Sequence, residues 1–357
     1  MLEPIVITFG ETDTAVCADA VLSLTDMSGA VTFTLLDETL YPGVDGVIEI
    51  DDLCDLVQAW LRVHRVMMFS CSVTPVAADG TRGTEMTSTM TLLYAAADTN
   101  LPALAFTQRH FLTTIDGEKL TAMGREERVS AYGLEAPCQL TVRATVVDAA
   151  GECSERTAVI DALNADGVTG ISVFDVSPQK VADAVNLYTG NGARLASYTV
   201  SAGQRSQAFL VGTDAVPPAP SLYFVNSFGC YEFLHCTGEH RKVSKYDRKT
   251  ARLRGKRHQY KIEEDRQFTG NTGWLNSAMA DWADELFRSD EVYVWDRRNG
   301  TVFKEVVLSD SKSEVSNADD DMPSFSFVYG YAQRLHNVMQ VERGGRVFDS
   351  TFDQSFN

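Results

Sequence analysis

Residues 222–265 read LYFVNSFGCYEFLHCTGEHRKVSKYDRKTARLRGKRHQYKIEED, and their character changes halfway along. Leu222 to Cys236 is aromatic and mostly apolar, with Asn226-Ser227-Phe228-Gly229 at its centre. That pattern predicts a buried pair of strands joined by a tight turn. From Arg241 to Lys261, ten Lys or Arg stand against one acid, Asp247, a local charge of +9. The whole chain carries −18, so the residues outside this window sum to −27. A concentrated basic arm on an acidic body points to an acidic partner, and one candidate is another copy of the same body.

The chain is 357 residues long, enough for two or three domains with their own cores. A hydrophobic content of 44% places it among globular chains rather than disordered ones. No apolar run approaches the ~20 residues of a membrane helix, so no membrane partner is expected. The opening MLEPIVITFGETD has no basic or apolar leader pattern and reads as a first strand. Seven scattered cysteines suit free thiols in a reducing compartment. The acidic body as a whole is unsuited to coating DNA, which needs positive surface.

Along the chain one pattern recurs three times: strands, a short amphipathic helix, then more strands. Residues 1–98 hold strands rich in Val, Ile, Thr and Phe around a helix over 51–62, where Leu53, Leu56, Val57, Trp60 and Leu61 share a face. Residues 103–215 repeat it, with strands at Phe111–Ile115, Ala136–Val147 and Thr157–Ile160. Their helix, 178–188, has Ser177 as its cap and Pro178 at its first position. Residues 221–340 contain the basic arm, 240–261, read as a long inserted loop, and a helix over 273–288. VPPAP, 216–220, is the clearest linker, and 341–357 reads as a polar tail. The expected fold class is mainly β with a few α-helices: tandem β-sandwich or β-barrel-like units, each flanked by one short helix.

Catalytic signatures are missing: no G-x-S-x-G, H-E-x-x-H, Walker A or dinucleotide-binding glycine fingerprint. Gly190-Asn191-Gly192 reads as a helix stop. Scattered carboxylates can still converge as a glycosidase pair, which a sequence does not display. Cys230, His235, Cys236 and His240 are zinc-ligand types in the wrong spacing. Strand alternation also sends both cysteines to the face opposite His235, so buried free thiols are expected. Ser316 to Asp321 offers oxygens without an EF-hand rhythm and reads as a solvated turn. Trp60, Trp274, Trp282 and Trp295 fall at core positions of helix and strand patterns. No catalytic residue, metal or cofactor is expected.

Two stretches, LYFVNSFGCYEFLHCTGE (222–239) and EVYVWDRRNGTVFKEVVLSDSKSEVSNADDDMPSFSFVYGYAQRLHN (291–337), resemble the C-terminal part of tail or baseplate structural proteins of phages and prophages of Bacteroidetes-type hosts. The resemblance implies tail-tube or distal-tail-like β-sandwich subunits whose long loops reach neighbours in a ring. It implies a homo-oligomer, trimeric or hexameric, that joins other phage tail proteins in a virion tail assembled in the host cytoplasm. Hub, distal ring, tube terminator and adaptor all stay open. The expected subunit-interface residues are Arg241, Lys242, Lys245, Arg248, Lys249, Arg252, Arg254, Lys256 and Arg257. A solvated hairpin of no special use is the second reading of the arm. Nucleic acid is the third, and it is disfavoured because only Tyr246 and Tyr260 could stack on bases. For the whole protein the rival is a surface or secreted β-sandwich adhesin that binds glycan or protein.

Overall fold

The computed structural model describes residues 5–8, 15–51, 53–187, 192–213, 220–296, 302–312 and 322–332. The fold is mainly β with four helices among these residues. Each sheet draws its strands from one of three consecutive stretches of chain.

The first stretch holds β1 (Ile5–Thr8), β2 (Ala15–Asp26), β3 (Thr32–Leu40), β4 (Val47–Ile50), α1 (Leu53–His64), β5 (Val66–Ala77) and β6 (Met86–Leu93). Its main sheet runs β3-β2-β5-β6, and β1 pairs with β4 beside it. Alternation along β2 points Ala18, Ala20, Leu22 and Leu24, all at 0% exposure, into a core with Leu53, Val57 and Leu61 of α1. The other face is hydroxyl-rich, and Thr25–Thr32 and Ser72–Thr87 form hydrogen bonds across it.

The middle stretch holds α2 (Ala103–Arg109), β7 (Glu118–Ala122), β8 (Arg128–Tyr132), β9 (Gln139–Val147), β10 (Cys153–Asp161), β11 (Asn164–Ala165), β12 (Ile171–Asp175), α3 (Pro178–Ala184), β13 (Arg194–Ala202) and β14 (Arg205–Gly212). A five-stranded sheet, β10-β9-β13-β14-β7, and a three-stranded one, β11-β12-β8, line a shared core that includes Phe111, Val142, Phe174 and Tyr198.

The third stretch holds β15 (Ser221–Val225), β16 (Tyr231–His235), β17 (Arg241–Leu253), β18 (Lys256–Asn271), α4 (Ser277–Arg288), β19 (Val292–Asp296), β20 (Val302–Lys312) and β21 (Ser326–Tyr331). They form one seven-stranded sheet in the order β16-β15-β19-β20-β21-β18-β17. The expected strand pair is β15–β16, closed at its turn by Asn226 N–H on the Cys230 carbonyl. Asn276 caps α4 by accepting from the Met279 N–H at 2.8 Å. The helix lays Met279, Trp282, Ala283 and Leu286 onto Leu222, Phe224, Leu234 and Phe327 of the sheet.

A fourth cluster ties the stretches together. Val66, Phe106, Leu112, Ile171, Phe228 and Cys230 pack side by side. Around them Ala96 N–H donates to Ser227 O at 2.7 Å, and Asn226 Nδ2 donates to Leu112 O at 2.7 Å.

Several expectations need correction. The basic arm is no loop: it is the paired hairpin β17–β18. Phe111–Ile115 is not a strand, because its apolar side chains serve three cores at once. Phe111 enters the middle core, Leu112 the shared cluster and Ile115 the third core. Ser177 makes no side-chain cap; its hydroxyl bonds Asp175 and Glu126 instead. The expected helices 51–62 and 273–288 begin at Leu53 and Ser277, and that over 178–188 ends at Ala184. Trp274 is 72% exposed and Trp60 half-exposed, stacked on Phe33 at 3.7 Å, so only Trp282 of these three is core. The helix end at 188, Gly190 and Asn191, the linker up to Ala219, Ser316–Asp321 and the tail 341–357 lie outside the described residues.

The contrast between two tryptophans tests the third core. Trp282→Ala should cost about 3–5 kcal/mol of stability, whereas Trp274→Ala should stay within about 0.5 kcal/mol. Urea denaturation followed by circular dichroism reads both.

Candidate functional site

The arm starts where the seven-stranded sheet ends. At its root, Phe268 to Asn271 of β18 pair with Tyr329 to Ser326 of β21. His240 and Tyr329 flank Phe268 in stacked contacts. Beyond Lys242↔Phe268 the two strands have only each other as strand partners among the described residues. Eleven residues, 243–253, then reach the turn, which at ~3.4 Å per residue is about 35 Å. The turn is the two-residue Arg254-Gly255, with φ of 50° and 80°. Both positive angles match the tight hairpin turn that follows strand twist. A single irregularity between Lys249 and Thr250 leaves Tyr260 as the extra residue on β18.

Charge is segregated along the arm. Residues 241–247 and 263–269 form a stem with four bases and four acids. Residues 248–262 form a tip with seven Lys or Arg and no acid. Alternation and register place Arg241, Lys245, Lys249 and Lys256 on one face. Lys242, Arg248, Arg252 and Arg257 lie on the other, and Arg254 sits at the turn. So the nine expected interface residues are brought onto one hairpin but not onto one face. In the stem Arg266 pairs with Glu264 at 2.9 Å, and Lys261 reaches back to Glu263 at 2.5 Å. Among the described residues none of the nine makes an ion pair; Arg248 lies over the Tyr246 ring, 5.2 Å from its centre. Leu253 and Tyr260 are exposed beside them.

At the opposite edge of the same sheet, β16 is sealed by the middle stretch through a buried charged group. His235 Nε2–H donates to the Glu126 carbonyl at 2.8 Å. A carbonyl only accepts, so Nδ1 is the bare nitrogen, and the Ser221 hydroxyl donates to it at 2.7 Å. Glu127, at 0% exposure, lies 2.7 Å from Lys119 Nζ and 3.4 Å from His235 Nε2. Lys119 answers the Glu127 charge, the His235 ring lies beside the other oxygen, and neither oxygen has an aligned hydrogen bond. Burial works against the Glu127 charge, but Lys119 and His235 outweigh it and hold the carboxyl below its usual range. Burial also lowers the His235 pKa, which keeps the ring neutral near pH 7. Lys119 in turn sits 4.4 Å from the centre of the Trp282 ring, and the Trp282 indole N–H donates to Glu232.

Serine, histidine and glutamate in contact invite a nucleophile reading. Here Nε2–H is committed to a backbone carbonyl, and the His235 side chain is buried beside the Phe233 ring. Physically the trio fastens the strand β16 edge. The sequence singles out His235 only as a zinc-ligand type. Cys236 packs on the α4 side with Leu222, away from His235, and no group of three His, Cys, Asp or Glu among the described residues could hold a metal. Lys119, Glu127 and Glu232 carry no sequence signal, since isolated charged residues are ordinarily surface residues.

No protein-family model matches the chain, and no curated protein matches it. Among the described residues no helix is long and apolar enough to cross a membrane.

Glu232 makes the joint sensitive to pH. Burial, with the Glu285 carboxylate adding to it, pushes Glu232 up to about 7 against the opposing pull of Lys119. Between the ordinary glutamate range and 7, the folded chain holds a proton that the unfolded chain releases. Stability therefore falls as pH rises through that window. Glu232→Gln keeps an acceptor for Trp282 and removes the titration. Above pH 7 it should gain up to about 3 kcal/mol over the parent, and at pH 4.5 almost nothing. Paired denaturation curves at the two pH values check this.

Proposed function

We propose that the protein is a non-enzymatic structural subunit of a phage tail or baseplate that self-assembles into a ring and joins neighbouring tail proteins. The observation that carries this reading is the projecting hairpin. A subunit acting alone gains nothing from a limb about 35 Å long that has a strongly cationic tip and, among the described residues, no strand beside either edge. An assembling subunit uses such a limb to span to its neighbour. The neutral stem sets the tip roughly two Debye lengths from its own acidic body, taking about 8 Å at physiological salt. The tip is then placed to answer charge on another molecule. Tandem β units suit the tail-tube and distal-tail families that residues 222–239 and 291–337 resemble.

A second reading, a surface or secreted β-sandwich adhesin, has one observation in its favour. Tyr223, Tyr231, Tyr293 and Trp295 lie half-buried on the sheet face away from α4, with Tyr223 stacked on Tyr231 at 4.6 Å. Half-exposed rings beside Glu291, which accepts from the Tyr231 hydroxyl at 2.9 Å, are a combination that sugars can use. Binding on a glycan array that disappears in Tyr231→Ala would favour this reading.

Replacing Arg248, Lys249, Arg252 and Arg257 by Ser tests the first reading. Light scattering should show the parent as an oligomer whose mass falls with added salt, and the variant as the 39.2 kDa monomer. An unchanged oligomer in the variant would overturn it.

A further inference from the structure

We infer that the tip of the arm docks on the first stretch of a second copy of the chain, along the open edge of β3, so that subunits join head to tail. This rests on the assembly reading above and names the surface it left open.

The charge is distributed unequally among the stretches. Residues 1–61 contain twelve Asp or Glu and no Lys or Arg, while the arm window carries +9. One chain therefore has two poles that match each other. Asp37 and Glu38 of β3, and Asp45 just after it, are exposed, and none makes an ion pair among the described residues. Attraction between the poles needs no third molecule.

Strand geometry supplies a second, independent reason. β3 is the outer strand of its sheet, and β17 is the outer strand of the third sheet. Among the described residues each has a strand partner on one side only, which leaves the other side a template for pairing with another strand. Charge brings the two edges together and backbone pairing fixes their register. Leu253, 64% exposed near the tip, would lose water in the same event.

The arm is badly placed to reach its own β3. The first stretch meets the third sheet at the β15–β16 turn, through Ala96 on Ser227, and Arg62 pairs with Asp290. β17 lies at the other edge, six strand spacings from β16, which at ~4.8 Å each is about 29 Å. A contact between two different surfaces of identical subunits is heterologous. It closes into a ring or runs on as a filament, depending on the rotation per step.

The test combines two variants that break opposite poles. Asp37→Lys with Glu38→Lys spoils β3 and keeps the arm; the four-serine arm variant does the reverse. Each alone should fail to assemble at a concentration where the parent is fully assembled. Mixed in equal amounts they should give a capped heterodimer by light scattering and nothing larger, which also shows that both are folded. Carbodiimide cross-linking of the parent should join Lys249 or Lys256 to Asp37 or Glu38 between isotopically distinct molecules. If the β3 variant assembles like the parent while the arm variant does not, and no such cross-link forms, the docking surface is wrong and the arm reading survives. If the parent is monomeric, or its arm instead holds short duplex DNA in a salt-dependent manner, both ideas fall.

Discussion

A buried ion pair, Glu127 with Lys119, sits where the middle and third parts of the molecule meet. An ion in a low-dielectric interior is tolerable only beside its counter-charge, and removing one partner of such a pair costs about 3–5 kcal/mol. Lys119 from β7 provides that counter-charge, and His235 from the end of β16 approaches from the other side. The pair sits at the seam: Lys119 lies over the Trp282 ring, and His235 Nε2–H donates to the carbonyl of the adjacent Glu126, which ties an edge of the third sheet to the middle stretch. Asn276 Nδ2 on the Glu118 carbonyl, at 2.8 Å, extends the same seam. Gly117 belongs to it too: a Cβ there would meet the Ala278 Cβ at 2.8 Å, so only glycine lets the chain pass α4 so closely.

Closing one edge of a sheet leaves the other to be dealt with. In this sheet β16 is sealed by buried charge, whereas β17 runs out of the sheet altogether and becomes half of the arm. Isolated proteins usually blunt such an edge, and lysines along it are one common device. The basic residues of β17 thus keep the arm soluble whatever else they do. Their concentration beyond residue 247, where no acid answers them within the tip, goes further than blunting requires.

Local pattern revealed much of this architecture and none of its seams. Leu222 to Cys236 declares itself because apolar alternation and a turn former coincide, and α4 because Leu275, Met279, Trp282 and Leu286 repeat at helical spacing. β7 and β8 stayed hidden because Lys119, Arg128 and Ser130 interrupt their apolar runs; Lys119 and Ser130 are buried by partners far away in sequence. Phe111–Ile115 reads as a strand in sequence because apolarity says that a residue is buried and not in which core. The arm reads as a loop in sequence because two-stranded pairing of polar residues has no hydrophobic period to detect. Its turn, Arg254-Gly255, was the available clue, since a residue followed by glycine between equal polar runs suits a two-residue hairpin.

The arm is held at its root alone. Its root is zipped into a seven-stranded sheet, but past Lys242↔Phe268 the two strands pair with no third strand among the described residues. Such ribbons are marginal in water, so cohesion declines outward and the last pairs open most easily. A partner docked on the tip, as proposed above, would also have to stiffen it, and that ordering would subtract from the grip. In the assembly proposed above, a limb of this kind would let go readily, so wrongly joined molecules could separate and try again before neighbours lock them in.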